Sequence, residues 1–137
     1  MSEKFKVEVV TPTRVVLDKE VEEVIAPGIM GEFGVLIGHT PMLTFVKPGV
    51  LSYLENDKFI KFAVGEGFCE VLADRVSVLV DEAYAVEELE AAAVSSELQG
   101  LEQQLVAIDA TADPEGYRKL TSKLKMARAK LSLASGS

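Results

Sequence analysis

The chain is short of basic residues, of histidine and of cysteine, and each shortage closes off a class of function. Lys and Arg number 14 against 22 Asp and Glu, giving a formal net charge of −8. That balance argues against nucleic acid, because phosphate binding needs a basic face that releases counterions. The one cysteine, Cys69, has no partner for an internal disulfide, which fits a reducing compartment. With one histidine, His39, any Ser-His-Asp or Cys-His arrangement would have to run through that residue. Metal sites need several His, Cys or carboxylate ligands at matched spacing, and no such set is visible. No apolar run approaches the roughly 20 residues that span a bilayer. The opening MSEKFKVEVV has neither an apolar signal core nor an Arg/Ser-rich amphipathic stretch. The expectation is a soluble, cytoplasmic protein that reaches a membrane only through a partner.

What is present divides into two textures. Apolar residues make up 48% of the chain and charged ones 26%, the mix of a folded domain rather than a disordered one. FKVEVV alternates Phe5, Val7 and Val9 with Lys6 and Glu8, the period-2 pattern of a strand buried on one face. Similar runs follow at 14–18, 21–26, 34–37, 42–46, 50–55, 58–64, 68–73 and 75–80. Turn residues separate them, among them Thr11-Pro12, Pro27-Gly28, Pro48-Gly49 and Asn56-Asp57. Short strands at this spacing, with no helix between them, predict an antiparallel β-sandwich or barrel over residues 1–85.

Beyond residue 85 the period changes. From Val86 to Ile108 apolar or small residues recur at Ala91, Val94, Leu98, Leu101, Leu105 and Ile108, the 3-4 spacing of a helix that packs on a helix. Asp113 suits an N-cap and Pro114 a first helical position. Tyr117, Leu120, Leu124, Ala127 and Leu131 then repeat the spacing. Residues 86–137 therefore read as an antiparallel two-helix hairpin, and the fold class as β plus α. The first helix is acidic. The second carries Arg118, Lys119, Lys123, Lys125, Arg128 and Lys130. Two readings follow: the helices attract each other across their seam, or the basic helix exchanges its partner for an acidic surface elsewhere. Exposed pairs are worth only about 0–1 kcal/mol each, so the exchange would be nearly balanced. Gly100 inside the first helix, and the small area a lone hairpin buries, make its stability depend on what it packs against.

The stretch APGIMGEFGVLIGHTPML, residues 26–43, holds His39 among four glycines and two prolines. It is no phosphate loop, which would need a Lys-Ser/Thr pair after its second glycine. The two carboxylates nearest this loop, Glu32 and Glu66, would pair as acid and base only by accident of fold. Glycines and prolines suit tight connections, and His39 before Thr40-Pro41 can bond its own loop. Ile29, Met30, Phe33 and Leu36 add apolar surface that marks an interface wherever it is exposed.

This stretch closely resembles the loop-strand-loop of the epsilon subunit of F-type ATP synthases, G-x-x-G-E-x-G-[VI]-L/Y-P-G-H-x-P-[LM]-[LV], with Ile37 where proline is usual. VVTPTRVVLDKEVEEVIAPG resembles that family's opening strands. VGEGFCEVLADRVSVLVDEA resembles a later segment, with Glu66 in place of its first glycine.

The resemblance implies a ten-strand sandwich (1–85, docking on the rotor) and a regulatory hairpin (86–137). It implies a non-catalytic central-stalk subunit that binds the gamma subunit and rests on the c-ring, coupling the two for ATP synthesis. By motif, Gly31, Glu32, Phe33, Gly38 and His39 would face the ring, a structural His39 being the alternative. The hairpin would extend toward the alpha and beta subunits of the catalytic head, its basic residues meeting an acidic loop of beta and blocking hydrolysis. Some members bind ATP through [IL]-D-x-x-R-A; here the match is Leu89 to Val94, with Glu90 for the Asp and Ala93 for the Arg. A triphosphate needs cationic donors, so at best weak ATP binding is expected, and no cofactor or metal is implied. The implied location is the cytoplasmic side of a bacterial inner membrane, as a peripheral subunit, with the plastid thylakoid as the alternative. Two further readings stand beside it: a stand-alone sandwich adaptor with a partner-binding hairpin, and a small hydrolase acting through His39.

Overall fold

A computed structural model of the chain describes residues 3–136. Ten strands run β1 (Phe5–Val10), β2 (Val15–Val21), β3 (Glu23–Gly28), β4 (Gly31–Val35), β5 (Met42–Val46), β6 (Gly49–Glu55), β7 (Lys58–Val64), β8 (Gly67–Val71), β9 (Arg75–Val80) and β10 (Ala83–Ala85). They form one hydrogen-bonded sheet in the order β10-β7-β6-β3-β5-β8-β9-β1-β2, with β4 paired to β3. β3 joins the two halves: Glu23 to Ile25 pair with β6, while Gly28 pairs with Val46 of β5. The halves fold over a core in which Val7, Val9, Val21, Val24, Leu51 and Val78 are fully enclosed. Alternation in the sequence supplies these inward residues, since successive side chains of a strand point to opposite faces.

The expected sandwich is therefore present, with one correction to its antiparallel character. β1 lies parallel to β9, Val7 opposite Val76 and Val9 opposite Val78. More than sixty positions separate these strands, so no tight turn forces them antiparallel. β10, too short for alternation to reveal, pairs with the end of β7.

Two helices follow, α1 (Ala91–Ala107) and α2 (Pro114–Ala134). Asp113 caps α2 as the sequence suggests, its Oδ1 accepting the Gly116 N–H at 3.0 Å. α1 starts five residues later than expected. Residues Val86–Glu88 form a single 3-10 turn instead, because Glu88 turns back: its Oε1 accepts the Ala85 N–H at 3.0 Å and its Oε2 meets Arg14 at 2.8 Å. Arg14 also donates to the Ala83 carbonyl at 2.9 Å, so this strap is clamped to the sandwich.

α2 carries two apolar stripes. Leu120, Leu124 and Ala127 are buried positions of the expected interhelical seam. Met126, Ala129 and Leu133 form a second stripe that packs with Ala63, Val50, Tyr84 and Leu89. The hairpin thus lies on the β6–β7 side of the sandwich through α2. α1 is the outer helix, and Val94 is its one buried residue.

Candidate functional site

The Gly-rich segment forms the β3–β4 hairpin and the connection from β4 to β5. At the hairpin, Gly28 must be glycine: an added Cβ would fall 2.8 Å from the Phe33 ring and 2.9 Å from the Gly31 carbonyl. Gly31 adopts φ +116°, a region that L side chains rarely enter. The turn pushes Ile29 and Met30 into solvent, Met30 being 95% exposed, with Glu32 exposed beside them. Phe33 turns inward instead and packs against the core.

At the other end of β4, Gly38 (φ +78°) donates to the Ala73 carbonyl at 2.8 Å. His39 is half-buried; its N–H reaches the Leu36 carbonyl and its ring Nδ1 lies 2.7 Å from the Thr40 carbonyl oxygen. The histidine therefore bonds its own loop. No hydrogen bond or ion pair joins it to Glu32 among the described residues. The strand between the two ends rises about 3.3 Å per residue. Gly31 and Glu32 thus lie at one pole of the sandwich and Gly38 and His39 at the other. The five residues thus span β4 and the turn that follows it.

Cys69 is enclosed, and burial pushes its thiol up to about 12, far from the thiolate a nucleophile requires. Among the described residues no group of three or more His, Cys, Asp or Glu could hold a metal ion.

A feature that alternation alone conceals is an apolar band on the outer face of the sheet. Register aligns Phe45 with Phe68, Phe68 with Leu79, Leu79 with Val10 and Val10 with Val15, across β5, β8, β9, β1 and β2. Phe45, Phe68, Leu79 and Val15 are 57%, 50%, 51% and 61% exposed, and the two rings meet at 5.3 Å. Leu43 extends the band along β5, and Ile29 closes it at the Met30 pole. Five strands at about 4.8 Å spacing make it roughly 19 Å wide. Contiguous exposed apolar surface of this kind marks a docking site. The sequence signal was the lapse of alternation at Val9-Val10 and at Val78-Leu79-Val80.

The basic residues of α2 face several ways. Lys130 reaches Glu97 of α1 at 2.9 Å and lies 5.1 Å from the centre of the Tyr84 ring. Arg118 meets Glu115 at 3.0 Å and Glu66 of the sandwich at 3.7 Å. Lys119, Lys123, Lys125 and Arg128 are exposed and make no ion pair among the described residues. Among the described residues, one ion pair, Lys130–Glu97, crosses the seam. Glu90 and Ala93 line a shallow hollow of about 290 Å³ with Glu88, Glu97, Tyr84 and Lys130. Three carboxylates and one lysine already committed to Glu97 make a poor cradle for phosphates. Among the described residues no helix is long and apolar enough to cross a membrane.

Comparison with known proteins places this architecture. Residues 4–86 match the family described as ATP synthase, Delta/Epsilon chain, beta-sandwich domain. The chain is 39% identical over 134 residues to ATP synthase epsilon chain 2 of Syntrophotalea carbinolica, spanning 98% of this chain and 96% of that one. It is 38% identical to the ATP synthase epsilon chain of Geotalea daltonii over the same share of each. In fold it resembles a chain of the Euglena gracilis mitochondrial ATP synthase solved as OSCP/F1/c-ring (TM-score 0.76, 20% identity, 96% of this chain and 81% of that one). It also resembles a chain of the Tetrahymena thermophila mitochondrial ATP synthase central stalk and c-ring (TM-score 0.62, 16% identity, 94% and 98%). The chain belongs to the ATP synthase epsilon-chain family.

Proposed function

We propose that the chain is a non-catalytic rotor subunit of the central stalk, with residues 1–85 docking on the rotor and residues 86–137 regulating hydrolysis. The observation that carries the docking role is the apolar band from Phe45 to Val15, a surface shaped for a protein partner and not for a small molecule. Gamma is the partner assigned to it. The pole bearing Met30, Gly31 and Glu32, exposed and held by a tight turn, is assigned to the polar loops of the c-ring. His39, engaged with its own loop, is assigned a structural role. The fold likeness to chains from c-ring and central-stalk assemblies supports a place in the central stalk.

The hairpin is the proposed brake. Lys119, Lys123, Lys125 and Arg128 stand exposed and, among the described residues, in no ion pair, available to an acidic loop of the beta subunit once α2 leaves the sandwich. The complex is placed on the cytoplasmic side of a bacterial inner membrane, which this subunit touches only through its partners.

The test is ATP hydrolysis by a reconstituted alpha-beta-gamma head with the full chain or with residues 1–88, which keep the Glu88 clamp. The full chain should slow hydrolysis, while the truncation binds without slowing it. Equal rates with both bound chains would remove the brake from this reading. Failure of either chain to bind would remove the docking role.

A further inference from the structure

The first half of α2 meets the sandwich at one charged point. The β7–β8 turn and the β9–β10 turn are stitched together, the Gly65 N–H donating to the Glu82 carbonyl and the Asp81 N–H to the Glu66 carbonyl, both at 2.9 Å. An added Cβ at Gly67 would overlap the Leu79 carbonyl, so the chain is pressed against β9 immediately after Glu66. The resulting rim is acidic, with Glu66, Asp81 and Glu82 facing Lys119 and Lys123 across a crevice of about 180 Å³. Among the described residues, Glu66 is the rim acid that makes polar contacts across it. Its Oε1 accepts the Ser122 hydroxyl at 2.5 Å, and its Oε2 lies 3.7 Å from Arg118 Nη1. Arg118 and Ser122 are four residues apart and so share one face of the helix.

The second half of α2 is held by different physics, through Met126, Ala129 and Leu133 packed with Ala63 and Val50. Salt screens the first attachment and leaves the second intact. The residue that grips stands where the family pattern has glycine.

We propose that Glu66, holding Ser122 and Arg118, is a charge-operated latch that closes the hairpin on the sandwich and withholds the N-terminal half of α2 from an acidic partner. The latch rests on the reading that the hairpin leaves the sandwich to act. Opening begins at the Arg118 end of α2, and the apolar stripe releases afterwards. Ionic strength and any cation that competes at the rim set how often that end is free.

Hydrogen exchange of amides 117–127 in the full chain tests this at about 0.02 M and about 0.5 M salt. Glu66→Ala should speed their exchange roughly three- to tenfold at low salt and leave β1 and β9 unchanged. The unaltered chain at high salt should approach that rate, and Glu66→Arg with Arg118→Glu should restore slow exchange at low salt. Exchange in Glu66→Ala equal to that of the unaltered chain overturns the latch, as does equal acceleration in the strands. Hydrolysis by the reconstituted head separates this from the brake. If the helix opens in Glu66→Ala but inhibition does not deepen, the latch stands and the braking role falls.

Discussion

Glu88 shows how one side chain redraws a boundary. A helix over residues 86–108 would include Glu88, whereas Glu88 bonds the Ala85 N–H and Arg14 and so holds residues 86–88 out of α1. The Ala85 N–H, then Arg14, hold its carboxyl below the ordinary 4.5. A carboxylate whose folded-state value is depressed stabilises the fold above its unfolded value and loses that contribution as pH falls through the folded one. The strap should therefore loosen as pH drops below about 4.5, read as faster exchange of the Ala85 amide. Glu88→Gln should start loose and lose that dependence. Cys69 and His39 were legible as types but not as environments: only the fold encloses the thiol and turns the imidazole onto Thr40.

The elements were legible in proportion to their periodicity. β1, β5, β7 and β9 run where their apolar patterns place them, because turn residues bound those runs. β3 starts two residues later than its apolar run and extends to Gly28, since pairing with β4 carries it into the turn. The Met126-Ala129-Leu133 stripe is hidden in the sequence because a helix with two buried faces shows overlapping periods, and the longer Leu-rich one dominates. α1 is the weakest element. One residue is buried, Glu90 provides no side-chain cap, and Gly100 has no neighbour within 4 Å of the place where a Cβ would sit. Gly100→Ala should stabilise α1 by about 1 kcal/mol, seen as roughly fivefold slower amide exchange along that helix. Unchanged exchange would mean that tertiary packing, not helix propensity, limits α1.

At the scale of the molecule, three features meet at one pole. Ile29, Phe45 and Phe68 of the apolar band line a crevice of about 470 Å³ together with Glu66 and Arg118. The band itself could not be read before register was known, since an outward Phe68 and an inward Val71 look alike in a list of apolar residues. Phe68→Ser should weaken binding to gamma tenfold or more, about 1.4 kcal/mol, measured by calorimetry with purified gamma. Its effect on unfolding should be about 1 kcal/mol or less, because half the ring is already in water. An equal loss in both measurements would move Phe68 from interface to core.

The Arg14–Glu88 clamp leaves two extended residues, Leu89 and Glu90, between a fixed strap and α1. That is a fulcrum, and what hangs from it is a boom. Two residues reach at most about 7 Å, so the hairpin can swing about this point but cannot slide along the sandwich. The 17 residues of α1 and 21 of α2 are about 25 Å and 31 Å long at 1.5 Å per residue. With the short connection between them drawn out to roughly 20 Å, the straightened arm spans on the order of 75 Å. Folded, its load is carried close to the pivot; in the proposed extended state its basic outer segment would be carried to the far end.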